Sequence, residues 1–290
     1  MTPVTPELLR AHPLPTPGEG GKDARGGVLI VGGCVAVPGA ALLAATAALR
    51  AGAGRLRIAT CRSIAPSLGL AMPEALVMGL EETPSGGIAP GEAERLAETA
   101  GRMDAVLIGP GMMGGDAAEA LAFGVLPRLE VPAVIDAGAL GCLPKLAGPL
   151  RRQPVITPHA GEMAKLLGRT REAIEADPEA AARDAASALR CTVVMKGAQT
   201  HIVSPEGETW LFTGGTVGLA TSGSGDVLAG IITALLARGA PPAWAAIWGV
   251  FLHGSAGSRL VRRYGGIGFL AREIAGEVPA LMGAFAPTAD

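Results

Sequence analysis

Residues 221–230 read Thr-Ser-Gly-Ser-Gly-Asp-Val-Leu-Ala-Gly, a run of small residues around a single carboxylate, Asp226. Glycine and serine lack bulk, so backbone here can approach a ligand closely. An apolar helical pattern follows at once (Val227, Leu228, Ile231, Ile232, Leu235, Leu236). The first N–H groups of such a helix have no partners and point back at the glycines, which makes an anion site. Asp226 would repel a phosphate, so its chemistry is a different one: taking the proton from a hydroxyl that attacks a phosphoryl group. A lone Asp at this place could instead cap the helix. Glycines at 223, 225 and 230, with Gly214, Gly215 and Gly218 just upstream, favour the catalytic reading.

Four other segments carry chemistry. Lys196-Gly197-Ala198-Gln199-Thr200 ends an apolar run, where a lysine point charge and bare backbone suit phosphate. Residues 157–162, Thr-Pro-His-Ala-Gly-Glu, put His159 on a turn before a helix start and Glu162 in its first turn, where an acid also suits the helix dipole. Residues 32–40 form a glycine-rich turn that ends in Gly39-Ala40. Residues 109–114 match G-x-G-x-x-G, with Asp136 at the end of the next strand, which would suit a dinucleotide site. Two features weigh against that reading: the motif follows about the fourth strand, and Pro110 removes an N–H that a pyrophosphate would use. No G-x-x-x-x-G-K-[ST] segment is present, so P-loop chemistry is not expected. The small residues around His253 suit close helix packing.

These segments need a frame. Short apolar runs predict strands at 28–31, 55–59, 75–80, 105–108, 133–135, 155–156 and 192–195, and a hairpin from 200–203 and 209–212. Helices are predicted at about 39–51, 90–100, 116–126, 161–167, 178–189, 225–237, 243–262 and 269–283. Alternating strands and helices imply a mainly parallel sheet covered on both faces, with ligands beyond the carboxyl ends of the strands. The division expected is a surface lead-in over 1–26 and a single domain over 27–290.

The chain has 290 residues, 49% hydrophobic and 17% charged, with a net charge of −2. That balance gives no basic footprint for nucleic acid or anionic lipid. The uncharged runs 28–49 and 239–258 reach membrane-spanning length, but Gly32, Gly33, Pro38 and Gly39 break the first, and Pro241, Pro242 and His253 mark the second as a buried helix. Four scattered cysteines without metal-ligand spacing, and an N-terminus without an apolar signal region, predict a cytoplasmic protein with free thiols.

Residues 218–232 closely resemble the signature of ADP- or ATP-dependent NAD(P)H-hydrate dehydratases, members of the ribokinase-like superfamily. The blocks at 157–162, 196–200 and 109–114 resemble that family too. Residues 136–141 resemble its Asp-Ala-Asp-Ala-Leu-Asn block, with Gly138 and Gly141 replacing the second Asp and the Asn. Val37 stands where the family usually has Tyr. The resemblance implies a three-layer α/β/α sandwich without a separate lid domain. It implies that Ala40, Gly111, Gly114, His159 and Asp226 contact the hydrated nicotinamide nucleotide, NADHX or NADPHX. Residues Lys196, Gly197, Ala198, Gln199, Thr200 and Gly225 would hold ADP (or ATP), with Mg²⁺ bridging phosphates and Glu162 as its candidate residue. Asp226 would act as base while Gly223 and Gly225 stabilise the moving phosphoryl. The family further implies a homo-oligomer, a tetramer, and a separate epimerase as functional partner. A vitamin-precursor kinase of the same superfamily, or a degenerate nucleotide-binding protein, are the alternatives.

Overall fold

The computed structural model describes residues 1–15 and 21–285. A ten-stranded sheet runs through it: β1 (Thr2–Pro3), β2 (Gly27–Val31), β3 (Arg55–Cys61), β4 (Leu76–Leu80), β5 (Ala105–Ile108), β6 (Ala133–Ile135), β7 (Val155–Ile156), β8 (Thr192–Met195), β9 (Thr200–Val203) and β10 (Thr209–Phe212). The spatial order is β1-β10-β9-β8-β7-β6-β5-β2-β3-β4. Every pairing from β8 through β4 is parallel, while β8–β9 and β9–β10 are antiparallel.

Strand side chains alternate between two cores because successive residues point to opposite faces. Val28 and Ile30 enter one core with α2 (Gly39–Arg50), α9 (Ser224–Ala237), α10 (Pro242–Tyr264) and α11 (Ala271–Gly283). Leu29 and Val31 enter the other with α4 (Ala93–Ala100), α5 (Asp116–Val125), α6 (Ala160–Leu167), α7 (Arg171–Ala176) and α8 (Pro178–Leu189). This is the three-layer α/β/α sandwich, and no helix among the described residues is long and apolar enough to cross a membrane.

The expected lead-in is corrected in part. Thr2 and Pro3 of β1 pair with Trp210 and Leu211, and α1 (Pro6–Ala11) buries Leu9 completely. The indole N–H of Trp248 donates to His12 O, and Arg238 donates to Pro15 O. Residues 1–15 are therefore built into the sheet and core, a strand of two residues being too short to show alternation. Residues 16–20 of the lead-in and 286–290 of the expected domain lie outside the described residues.

The chain order creates a switch point. From β2 the chain moves to β3 and β4, then returns to β5 on the other side of β2 and proceeds outward through β6, β7 and β8. Loops after β2 and β5 therefore diverge and open a crevice at their carboxyl ends, the usual ligand position in such sheets.

Candidate functional site

Five adjacent strands, β2, β5, β6, β7 and β8, each end in a segment singled out above: Gly32-Gly33, Gly109-Pro110-Gly111, Asp136, Thr157 and Lys196. The parallel register brings them to one edge of the sheet. Gly33 (φ 78°), Gly109 (φ 127°) and Gly111 (φ 66°) occupy backbone conformations that side chains rarely adopt. A Cβ on Gly109 would strike the carbonyl oxygen of Asp136, so this glycine lets the β5 and β6 ends approach.

Asp136 is the anchor. Its carboxylate is almost fully buried, accepts the Thr157 hydroxyl at 2.7 Å, and pairs with Lys196 Nζ at 3.2 Å. Glu162 Oε2 lies 3.8 Å from the same ammonium. Burial works against the charge on Lys196, but Asp136, Glu162 and Asp226 outweigh it and hold its pKa above the ordinary lysine value. The G-x-G-x-x-G reading fails here: Asp136 is spent on Thr157 and Lys196 rather than offered to a ribose.

Asp226 sits in the first turn of α9. Burial, then the neighbouring charge of Asp136 and, more weakly, Glu162, push its pKa up to about 7, with Lys196 pulling the other way. A buried carboxylate poised near neutrality, over phosphate-suited backbone, is the signature of a general base. Two N–H groups at this helix start, those of Gly225 and Asp226, have no acceptor among the described residues, whereas Ser224 N donates to Thr221 O. A Cβ on Gly225 would stand 3.3 Å from Lys196 Nζ, so the helix start and the lysine share one space.

Two clefts flank this centre. One, about 750 Å³, is lined by His159, Lys196, Gly197, Ala198, Thr200, Ser224, Gly225 and His253, with apolar walls from Phe212, Val217, Leu219, Leu228 and Val250. The other, about 210 Å³, lies at the switch point against Gly33, Cys34, Met112, Gly114 and Asp116. Ala40 is buried and backs Gly111, whose Cβ would stand 2.8 Å from that of Ala40.

Several expected site residues take other places. His159 joins Lys196, not Gly111: the two bridge through their backbones, and His159 lines the larger cleft. Its Nδ1 accepts from Gly161 N and Glu162 N while Glu162 Oε2 accepts from His159 N, a reciprocal cap of α6. Gln199 is not among the residues lining either cleft. Gly223 lines neither; it is the left-handed N-cap residue of α9 (φ 88°), and a Cβ there would strike Leu43. Gly230 serves packing, because a Cβ would meet the Ala44 carbonyl oxygen where α9 crosses α2.

Sequence reasoning missed His253 as a site residue. It lies in mid-α10, with Nε2 3.1 Å from Ser224 O and 2.9 Å from Ser224 Oγ. The available signal was a polar ring amid an otherwise apolar, small-residue run.

Magnesium requires hard oxygen ligands, and it commonly takes one or two carboxylates together with substrate phosphates. Among the described residues no group of three or more His, Cys, Asp or Glu forms a self-sufficient metal site. Glu162 fits the shared arrangement: one oxygen caps α6, and the other meets only the His159 ring edge at 3.6 Å.

The NAD(P)H-hydrate dehydratase family model matches residues 28–280. An ADP-dependent (S)-NAD(P)H-hydrate dehydratase from Xanthomonas campestris is 50% identical over 279 residues, covering 96% of this chain and 95% of the relative. Among solved structures, the Bacillus subtilis ADP/ATP-dependent NAD(P)H-hydrate dehydratase co-crystallised with ATP/Mg²⁺ superposes with a TM-score of 0.84 at 29% identity, covering 98% of this chain and 99% of that one. A ribokinase-like superfamily protein from Enterococcus faecalis gives a TM-score of 0.84 at 28% identity over 99% and 96% of the two chains.

Proposed function

The chain belongs to the NAD(P)H-hydrate dehydratase family, and from that premise we propose that its two clefts serve the repair of hydrated nicotinamide nucleotides. The enzyme removes water from the S-epimer of 6-hydroxy-hydrated NADH or NADPH, with ADP as phosphoryl donor. The observation that carries this reading is Asp226: a buried carboxylate, its pKa pushed up to about 7, at a helix start whose Gly225 and Asp226 N–H groups have no acceptor among the described residues.

A hydroxide leaves poorly from C6, and a phosphate leaves well. Asp226 takes the proton of the 6-hydroxyl as its oxygen attacks the β-phosphorus of ADP, and the bond to AMP breaks. The N–H groups of Gly225 and Asp226 meet the charge spread over the moving phosphoryl oxygens, where pre-aimed donors act most strongly. Lys196, held by Asp136, offers its positive charge to the same phosphates. Departure of phosphate from C6 and of a proton from the adjacent ring carbon then restores the dihydronicotinamide. The products are NAD(P)H, AMP and phosphate.

The larger cleft suits the adenine nucleotide, with Gly197, Ala198 and Thr200 at its phosphate end and apolar walls for a base. The switch-point cleft beside Gly111 and Gly114 suits part of the hydrate. His159 keeps the ring edge not used for capping, and we assign it to the hydrate where the two ligands meet. Magnesium accompanying the nucleotide would be held by Glu162 and the phosphates, and it supplies neutralisation of phosphate charge. A homotetramer, a cytoplasmic site and a separate epimerase that converts the R-hydrate belong to the same reading.

Incubation with NADH hydrate, ADP and Mg²⁺ tests it directly, with the return of reduced-nicotinamide absorbance as the readout. No return with ADP or ATP, together with phosphorylation of a vitamin-precursor alcohol, would transfer the protein to the kinases of the same superfamily.

A further inference from the structure

The first turn of α9 follows a loop rich in glycine and serine, yet the proposed reaction needs its N–H groups aimed within a fraction of an ångström. Gly223, with its left-handed backbone, does not by itself fix the direction of the next peptide plane. Among the described residues, the side chain that hydrogen-bonds this turn's backbone from another element is His253.

The geometry of that contact is informative. Ser224 O accepts only, so its 3.1 Å hydrogen bond belongs to the tautomer with the proton on His253 Nε2; in the other tautomer Nε2 accepts from Ser224 Oγ at 2.9 Å. Burial, opposed by the bond to Ser224 and aided by Lys196, lowers the His253 pKa to about 4, so the ring is neutral at physiological pH. The Ser224 carbonyl and the Gly225 N–H belong to one peptide group. Donation to the carbonyl draws electron density toward its oxygen and leaves the N–H at the other end a stronger donor, the cooperative effect seen in hydrogen-bond chains. The Gly225 N–H has no acceptor among the described residues, and Gly225 lines the larger cleft.

We propose that His253 is a positioning residue for phosphoryl transfer: it clamps and polarises the Ser224–Gly225 peptide from α10, and so aims the Gly225 N–H at the transferred phosphoryl group. This rests on the function proposed above. It adds a residue on the wall of the larger cleft that acts on the moving phosphoryl through the backbone of the loop.

The test is calorimetric titration of wild type, His253→Ala and His253→Gln with Mg-ADP and with AMP. ADP carries the phosphoryl group that the Gly225 N–H would meet, and AMP lacks it. His253→Ala should lose ADP affinity by about fivefold, the scale of one weakened charge-assisted bond, with AMP affinity unchanged within twofold. His253→Gln retains an amide donor and should recover part of the loss. Equal losses for ADP and AMP, or no loss in a folded variant, overturn the proposal. If His253→Ala fails to fold, His253→Gln decides it: ADP affinity between twofold and fivefold below wild type with AMP unchanged supports the clamp, and parallel loss refutes it. A wild type that binds ADP but does not restore NADH from its hydrate would refute the dehydratase reading while leaving this affinity ratio intact.

Discussion

Lys196 and Asp136 lie 60 residues apart in sequence, yet Lys196 Nζ meets Asp136 Oδ1 at 3.2 Å across the ends of β8 and β6. The parallel strand between them, β7, contributes Thr157 to the same carboxylate. Three neighbouring strand ends thus hold one ammonium in place under the first turn of α9.

Removing one member of this pair should cost more than a surface ion pair does. Lys196→Ala leaves the Asp136 carboxylate buried with only Thr157, a change expected to cost ~3–5 kcal/mol and to weaken ADP binding. The double variant Lys196→Ala/Asp136→Asn should recover stability but not ADP affinity. Thermal melts and ADP titrations of both variants check this, and full recovery of affinity would remove Lys196 from the nucleotide site.

Asp226→Asn keeps the size and removes the base. Its kcat should fall ~10²–10⁴-fold, while ADP affinity holds or improves because a negative charge leaves a phosphate site. Near wild-type repair of NADH hydrate by this variant would end the catalytic assignment.

The same residue ties stability to pH. Its folded pKa, about 7, lies above the ordinary aspartate value of 3.8, so the native state favours the protonated form. That stabilisation is complete below about 3.8 and is lost as pH rises through about 7. Asp226→Asn should therefore melt higher than wild type at pH 8, with the gap narrowing toward pH 5. For wild type, kcat/KM should climb through the region of pH 7 as the base ionises. A constant melting difference across this range would contradict the raised pKa.

His159 has two separable roles. Asn caps helices well, so His159→Asn should hold the melting temperature while raising the KM for the hydrate. His159→Ala should raise that KM too, and also lose ~1 kcal/mol of stability with the cap. Unchanged hydrate kinetics in the Asn variant would leave only the capping role.

Two glycines of one helix should behave differently. Gly230→Ala drives a methyl group toward the Ala44 carbonyl oxygen and should destabilise by ~1–3 kcal/mol with normal kinetic constants in the folded fraction. Gly225→Ala meets only Lys196 Nζ at 3.3 Å and should impair turnover more than stability. Steady-state kinetics beside denaturant melts would separate the two.

The sequence by itself determined the order of β2 to β10 and of the α-helices of eight or more residues, because apolar runs and helical periodicity are local signals; Pro6–Ala11, Ala65–Ala71 and Arg171–Ala176, of six or seven residues, are too short to show that period and were not predicted. The hairpin at Thr200–Val203 and Thr209–Phe212 was legible for the same reason, as was the Gly-Ser-Gly-Asp helix start. Tertiary structure alone decided the rest. The join of β1 to β10 spans most of the chain, and a two-residue strand has no period to read. His159 fell to the Lys196 cleft because β7 lies directly beside β8, a neighbour relation set by sheet order. Gly223, Gly225 and Gly230 look alike in sequence, and their separate duties follow from what stands opposite: Leu43, Lys196 and Ala44. The raised pKa of Asp226 came from burial and from Asp136, a charge brought near only by folding. Residue types can announce what chemistry is possible, but the electric field at a carboxylate is a sum over spatial neighbours, and those exist only once the sheet has closed its order.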